Sequence, residues 1–150
     1  FDYGGRIVAG EDGIYSYRNM RVIEADGKVA AMSLCFEAFK RTEAEMKIIP
    51  EEFRIFKELT NTIPGEFYLD SLAALPEFRG QGFGRLLLED SIEKARMQGY
   101  NSVYLIAFAK NVAGVELYEK NGFYPVRTKQ ATNHPDMPYS GDVVLYKKDL

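Results

Sequence analysis

Residues 79 to 84, Arg-Gly-Gln-Gly-Phe-Gly, set three glycines between an apolar run and a strongly helical pattern. Glycine at that density lets backbone approach a ligand closely. A loop that leaves a strand and enters a helix also presents the helix's unpaired first N–H groups to an anion. Phosphate is the natural ligand for such a loop. The dinucleotide fingerprint G-x-G-x-x-G needs glycine at position 85, where this chain has Arg85, and the Gly-Lys-Ser/Thr of the P-loop is absent. What remains is Arg-x-x-Gly-x-Gly, formed by Arg79, Gly82 and Gly84 and followed by Arg85. Upstream, Glu66 and Asp70 lie four apart in an alternating segment. Strand geometry then puts them on one face with Tyr68, as candidate proton acceptors. Downstream runs Asn-Val-Ala-Gly-Val-Glu-Leu-Tyr-Glu-Lys-Asn-Gly-Phe, in which Asn111 fits a helix N-cap and Tyr118 a core aromatic. Cys35 lies within an apolar run and reads as an inert core residue, and His134 receives no role.

The elements that must position these residues follow from pattern. Residues 19 to 36 place two β-leaning runs around Asp26-Gly27, a hairpin signal. Residues 37 to 50 are charged and unpatterned, and Pro50 with two acids then opens a short helix carrying Phe53, Phe56 and Leu59. Residues 66 to 75 alternate as a strand that closes at Pro76. Leu86, Leu87, Leu88, Ile92 and Ala95 mark a helix from Gly82 to Gln98, with Gly99 as its stop. A buried strand over 102 to 108, a helix over 111 to 121, and strands near 123 to 128 and 142 to 147 complete the chain. The order β-β-α-β-α-β-α-β-β is an α/β pattern, expected to form one mixed, mostly antiparallel sheet flanked by helices in a single domain over residues 1–150.

Composition bounds the function. The chain has 150 residues, 46% hydrophobic and 27% charged, and a formal net charge of -3, so a generic nucleic-acid partner is disfavoured. One cysteine and one histidine exclude an intramolecular disulfide framework and a Cys/His zinc cluster, so no metal is expected. No apolar run approaches the roughly 20 residues of a membrane span, and no signal-peptide pattern opens the chain. The expected setting is a reducing cytoplasm with no membrane partner.

The glycine stretch, with the Asn111-to-Phe123 segment one strand later, resembles the GNAT superfamily of acyl-CoA-dependent N-acetyltransferases. The likeness covers about residues 19 to 127. It implies that Gly80, Gln81, Gly82, Phe83, Gly84 and Arg85 wrap the pyrophosphate of coenzyme A through main-chain N–H groups, with Arg79 beside them. By the same resemblance, Leu72, Ala73 and Ala74 form the strand end that pairs with the pantetheine arm. Asn111 approaches the pantetheine and Tyr118 the thioester sulfur. The Leu72 N–H is then a candidate donor to the oxyanion of the tetrahedral intermediate, and the Tyr118 phenol a candidate acid for the leaving thiolate. Asp70 is the first choice of base and Glu66 the second, against the alternative that Asp70-Ser71 only anchors a neighbouring loop.

The function so implied is direct acetyl transfer from acetyl-CoA, as acyl-donor co-substrate, to a primary amine of a small molecule or protein. The competing class is a catalytically silent CoA-binding regulatory or interaction module. A homodimer is a further partner expectation. Two departures from the family pattern stand out. The strand and helices that usually open the fold are not recognisable before residue 19, and residues 37 to 65 form a long insertion expected to line the acceptor side.

Overall fold

The computed structural model describes residues 10–135 and 137–150. Six strands are ordered β1-β2-β3-β4-β6-β5 in one sheet: β1 (Met20–Ala25), β2 (Lys28–Glu37), β3 (Phe67–Ala74), β4 (Ser102–Phe108), β5 (Tyr124–Ala131) and β6 (Gly141–Asp149). The helices are α1 (Glu43–Ile48), α2 (Glu51–Thr60), α3 (Phe83–Met97) and α4 (Val112–Lys120). The pairings β1 with β2, β4 with β6 and β5 with β6 are antiparallel. The fold is therefore the mixed, mostly antiparallel α/β arrangement expected. The chain divides into two compact units, one holding residues through Phe36 together with Leu69–Gly99, the other holding Glu37–Tyr68 and Tyr100–Leu150.

In the first unit, Asp26 (φ +52°) and Gly27 (φ +71°) turn the β1–β2 hairpin with Ala25 opposite Lys28. Two successive positive φ angles make the turn that suits the right-handed twist of the strands, and an Asp-Gly pair adopts it at little cost. Helix α3 buries Leu87, Leu88, Ile92 and Ala95 along one stripe. Each of its three larger apolar side chains contributes about 1.5–3 kcal/mol by leaving water. Gly99 (φ +82°) ends the helix, its N–H donating to the Arg96 carbonyl. Beneath α3, the Cys35 thiol donates to Ser91 Oγ at 3.3 Å, and Ser91 donates to the Leu87 carbonyl. Burial pushes the thiol's pKa up, so Cys35 is a packed, neutral core residue.

In the second unit, cross-strand partners of β4 and β6 share a face, so Leu105 and Tyr146 lie on one side and Phe108 and Val143 on the other. Helix α4 sets Tyr118 against Tyr146 with ring centroids 6.4 Å apart, while α2 sets Phe56 against Phe108 at 5.7 Å. The two helices thus cover opposite faces of the same strands. Glu58 of α2 is ion-paired with Lys129 of β5, and Glu52 lies 3.8 Å from His134 in the loop after β5. Within this unit, the insertion of residues 37 to 65 supplies a helix for the second face of β4, β6 and β5.

Helix α1 is absent from the sequence reading. It is one and a half turns long, nucleated by a capping box: Thr42 Oγ1 accepts from the Glu45 N–H, and Glu45 Oε2 accepts from the Thr42 N–H at 2.7 Å. Thr42-x-x-Glu45 was the available signal, masked by a charge-rich segment with no apolar period. Strands β5 and β6 also run longer than expected, to Ala131 and Asp149.

Candidate active site

Strand β3 changes character along its length. Phe67, Tyr68 and Leu69 are buried, Asp70, Ser71 and Leu72 are half-buried, and Ala73 is exposed. The strand end that the resemblance assigns to the pantetheine therefore carries small side chains, Ala73 and Ala74, and Ala73 is exposed. A groove of about 270 Å³ borders it in the first unit, lined among others by Val29, Met32, Ala73, Leu75 and Arg79.

The glycine loop follows through a 3-10 turn over Pro76–Phe78. Three contacts hold it. Phe78 is buried, Arg79 Nε donates to the Ala74 carbonyl at 3.3 Å, and Gln81 Nε2 donates to the Glu77 carbonyl at 3.3 Å. Gly80 has φ +76° and Gly82 has φ +85°, conformations that side chains rarely adopt, and a Cβ built on either meets no atom within 4 Å. Gly82 is the N-cap of the 15-residue helix α3 and makes no side-chain cap. The first N–H groups of α3 thus start from an open glycine corner at the positive end of a helix dipole, which is anion chemistry. Arg85, in the first turn, pairs with Glu89 at 2.8 Å. Phe83 is half-buried, its ring 6.4 Å from that of Phe78.

Asp70 stands within β3, and its Oδ2 accepts from Ser71 Oγ at 2.9 Å. Glu66, by contrast, lies in a bend just outside the strand, where its Oε2 accepts from Ser102 Oγ at 3.1 Å. Glu66 thus immediately precedes the strand, which runs Phe67–Ala74 and carries Tyr68 and Asp70, and its carbonyl accepts from the Ala38 N–H at 2.8 Å. Near Glu66, Glu37 accepts from the Tyr100 hydroxyl at 2.7 Å, and Tyr100 packs its ring 5.3 Å from Phe67. Burial first, then that bond, push the Tyr100 phenol up to about 12. Sequence reading missed Ser71, Ser102 and Tyr100 as partners of the acidic residues.

In the second unit, Asn111 is the N-cap of α4, with Oδ1 accepting from the Gly114 N–H at 3.2 Å. A Cβ on Gly114 would meet Asn111 Nδ2 at 2.6 Å, so glycine there gives the Asn111 amide its seat. Tyr118 is buried, its ring 6.1 Å from Phe123 and 6.4 Å from Tyr146. Burial raises its pKa, so the phenol holds its proton at neutral pH. The structure thus gathers Asp70, Leu72, Ala73, Ala74 and residues 79 to 85 in the first unit, and Glu66, Asn111 and Tyr118 in the second. Among the described residues, no group of His, Cys, Asp and Glu side chains could hold a metal ion, and no helix is long and apolar enough to cross a membrane.

An open strand end, a glycine corner and a helix N-terminus in sequence define a protein class when set in this mixed sheet. Residues 11–123 match the model of the acetyltransferase (GNAT) family, and the chain belongs to that family. Among its relatives is the [ribosomal protein bS18]-alanine N-acetyltransferase of Escherichia coli strain K12, 35% identical over 65 residues, which are 43% of this chain and 44% of the relative. The chain thus spans under half the length of the first curated relatives it matches. The enzyme of the same name from Haemophilus influenzae is 29% identical over 125 residues, 81% of this chain and 84% of the relative. Among solved structures, a GNAT family acetyltransferase from Elizabethkingia anophelis with acetyl-CoA bound superposes with a TM-score of 0.61 at 18% identity. That match covers 87% of this chain and 75% of the other.

Proposed function

We propose that this protein is an N-acetyltransferase that moves the acetyl group of acetyl-CoA directly to a primary amine. The observation that carries the reading is the glycine corner at Gly80 and Gly82, open at both Cβ positions and leading straight into α3. It suits a diphosphate that must approach backbone N–H groups without interference from side chains. Family membership and the acetyl-CoA complex of a fold neighbour support the same donor.

In this reading, Asp70 takes the proton of the incoming ammonium, directly or through water, and the freed amine attacks the thioester carbonyl. The N–C bond forms, and the Leu72 N–H donates to the oxyanion of the tetrahedral intermediate. As the C–S bond breaks, the Tyr118 phenol protonates the departing thiolate, and the phenolate is restored by the proton that the newly bonded nitrogen must shed to become a neutral amide; the buried phenol stands protonated at neutral pH. Asn111 orients the pantetheine, and Arg79 adds positive charge beside the loop. Glu66 is the second candidate base, since it precedes the strand that carries the open end while Asp70 stands within it. The names of the relatives make a protein N-terminal alanine the first acceptor to try.

Two measurements test the reading. Titration calorimetry with acetyl-CoA should show saturable binding, and its absence overturns the donor assignment. Thiol release should then appear with an amine panel comprising an alanine-initiated peptide, a lysine peptide and a small diamine. Binding without turnover across the panel supports instead a silent CoA-binding module.

A further inference from the structure

Neighbouring side chains on a strand normally point to opposite faces, so a hydroxyl and a carboxylate on consecutive residues do not meet by default. Asp70 and Ser71 do meet. Ser71 Oγ donates to Asp70 Oδ2 at 2.9 Å, which requires one or both side chains to lean along the strand toward the other. Both residues are half-buried and sit where β3 passes from its buried start to its open end. Among the described residues, the other oxygen, Oδ1, takes no hydrogen bond. One oxygen is thus held and the other left open, the arrangement wanted in a carboxylate that must accept a proton from a defined direction.

We infer that Ser71 is a positioning residue for the reaction: its hydroxyl fixes the Asp70 carboxylate by Oδ2, so that Oδ1 faces the acceptor ammonium. This rests on the reading of Asp70 as the base. The proton leaves the ammonium nitrogen for Oδ1, the Ser71 hydroxyl keeps its own proton throughout, and no other reactant is required. In this role the effect of Ser71 passes entirely through the Asp70 carboxylate it donates to. That distinguishes it from a hydroxyl that merely stabilises the strand.

The experiment is a double-mutant cycle measured with acetyl-CoA and whichever amine the panel identifies. Ser71→Val removes the hydroxyl but keeps a β-branched side chain suited to a strand, and Ser71→Thr keeps the hydroxyl in nearly the same volume. Ser71→Val is expected to lower kcat by about tenfold with little change in the KM for acetyl-CoA, and Ser71→Thr to restore most of it. In an Asp70→Asn background, Ser71→Val should add nothing further. Wild-type kcat in Ser71→Val, or an equal loss in both backgrounds, overturns the positioning role while leaving Asp70 as the base. Wild-type turnover in Asp70→Asn overturns the base assignment and this inference with it. Melting temperatures of all variants separate these outcomes from misfolding, and if Ser71→Val does not fold, Ser71→Ala provides the same comparison.

Discussion

Replacing Gly82 separates what the glycine corner does for the fold from what it does for the ligand. At φ +85°, ψ 0°, the residue is left-handed, and any L side chain there costs roughly 1–2 kcal/mol in backbone strain. No collision adds to this, since an added Cβ meets nothing within 4 Å. Gly82→Ala should therefore lower stability by about 1–2 kcal/mol. For a chain of this size that is a fall of about 2–8 °C in melting temperature. Gly82→Asn should lose less, because asparagine tolerates the left-handed region better. Acetyl-CoA affinity should follow the opposite logic. On the proposed binding mode, a Cβ that meets no protein atom would stand in the space proposed for the diphosphate, so both variants should bind at least tenfold more weakly. Asn, the larger, should lose more affinity while keeping more stability. Differential scanning calorimetry and titration calorimetry on the same samples supply both numbers. Unchanged acetyl-CoA affinity in folded Gly82→Asn would refute the reasoning, since the corner would then be turn chemistry alone.

Tyr118→Phe keeps the ring against Phe123 and Tyr146 and removes only the hydroxyl, so melting temperature and acetyl-CoA affinity should stay near wild type while the single-turnover rate drops by up to about 10²-fold. A normal rate with lost stability would make Tyr118 a packing residue. For Tyr100, the folded pKa of about 12 lies above the unfolded value near 10, so its contribution is complete below about pH 10 and is lost as pH rises toward 12. Thermal melts between pH 8 and about pH 12 should fall more steeply for wild type than for Tyr100→Phe, and parallel curves would contradict the assignment. Thr42→Ala removes the capping box of α1 and should cost about 1 kcal/mol, seen as a drop of about 2–4 °C in the melting temperature with acetyl-CoA affinity unchanged.

The features legible from sequence were those fixed by local chemistry. Asp26-Gly27 permits only a few turns, Gly99 ends α3 because glycine takes its left-handed φ most cheaply, and Gly80 and Gly82 form an open corner. Features set by side-chain direction were not legible. Alternation alone predicts that Asp70 and Ser71 diverge, yet their hydrogen bond brings them together. Glu66 shares parity with Asp70 but immediately precedes the strand, and pattern alone does not show where the strand begins. Helix α1 escaped for a different reason. Six residues cannot show an apolar period, so only the reciprocal Thr42–Glu45 bonds betray it. For Asn111, reading the residue as an N-cap was correct at the level of α4, and the resemblance adds a ligand role to the same side chain.

Strand β5 forms the outer edge beside β6, and its composition bears on how the protein behaves at high concentration. Pro125 offers no N–H, and Val126 is skipped in the register between Pro125 and Arg127, a bulge that bends the edge. Arg127 then places a cation on the same short stretch, while Lys129 is taken up by its ion pair with Glu58. A strand from a second molecule laid against this edge would meet an interrupted ladder and, from an identical copy, like charges. The opposite edge, β1, has no proline and carries Arg21 and Glu24. Stacking of molecules edge to edge would need both borders to accept partners, and its proline and bulge make β5 a poor one, so fibrous aggregation by sheet extension is disfavoured at that border.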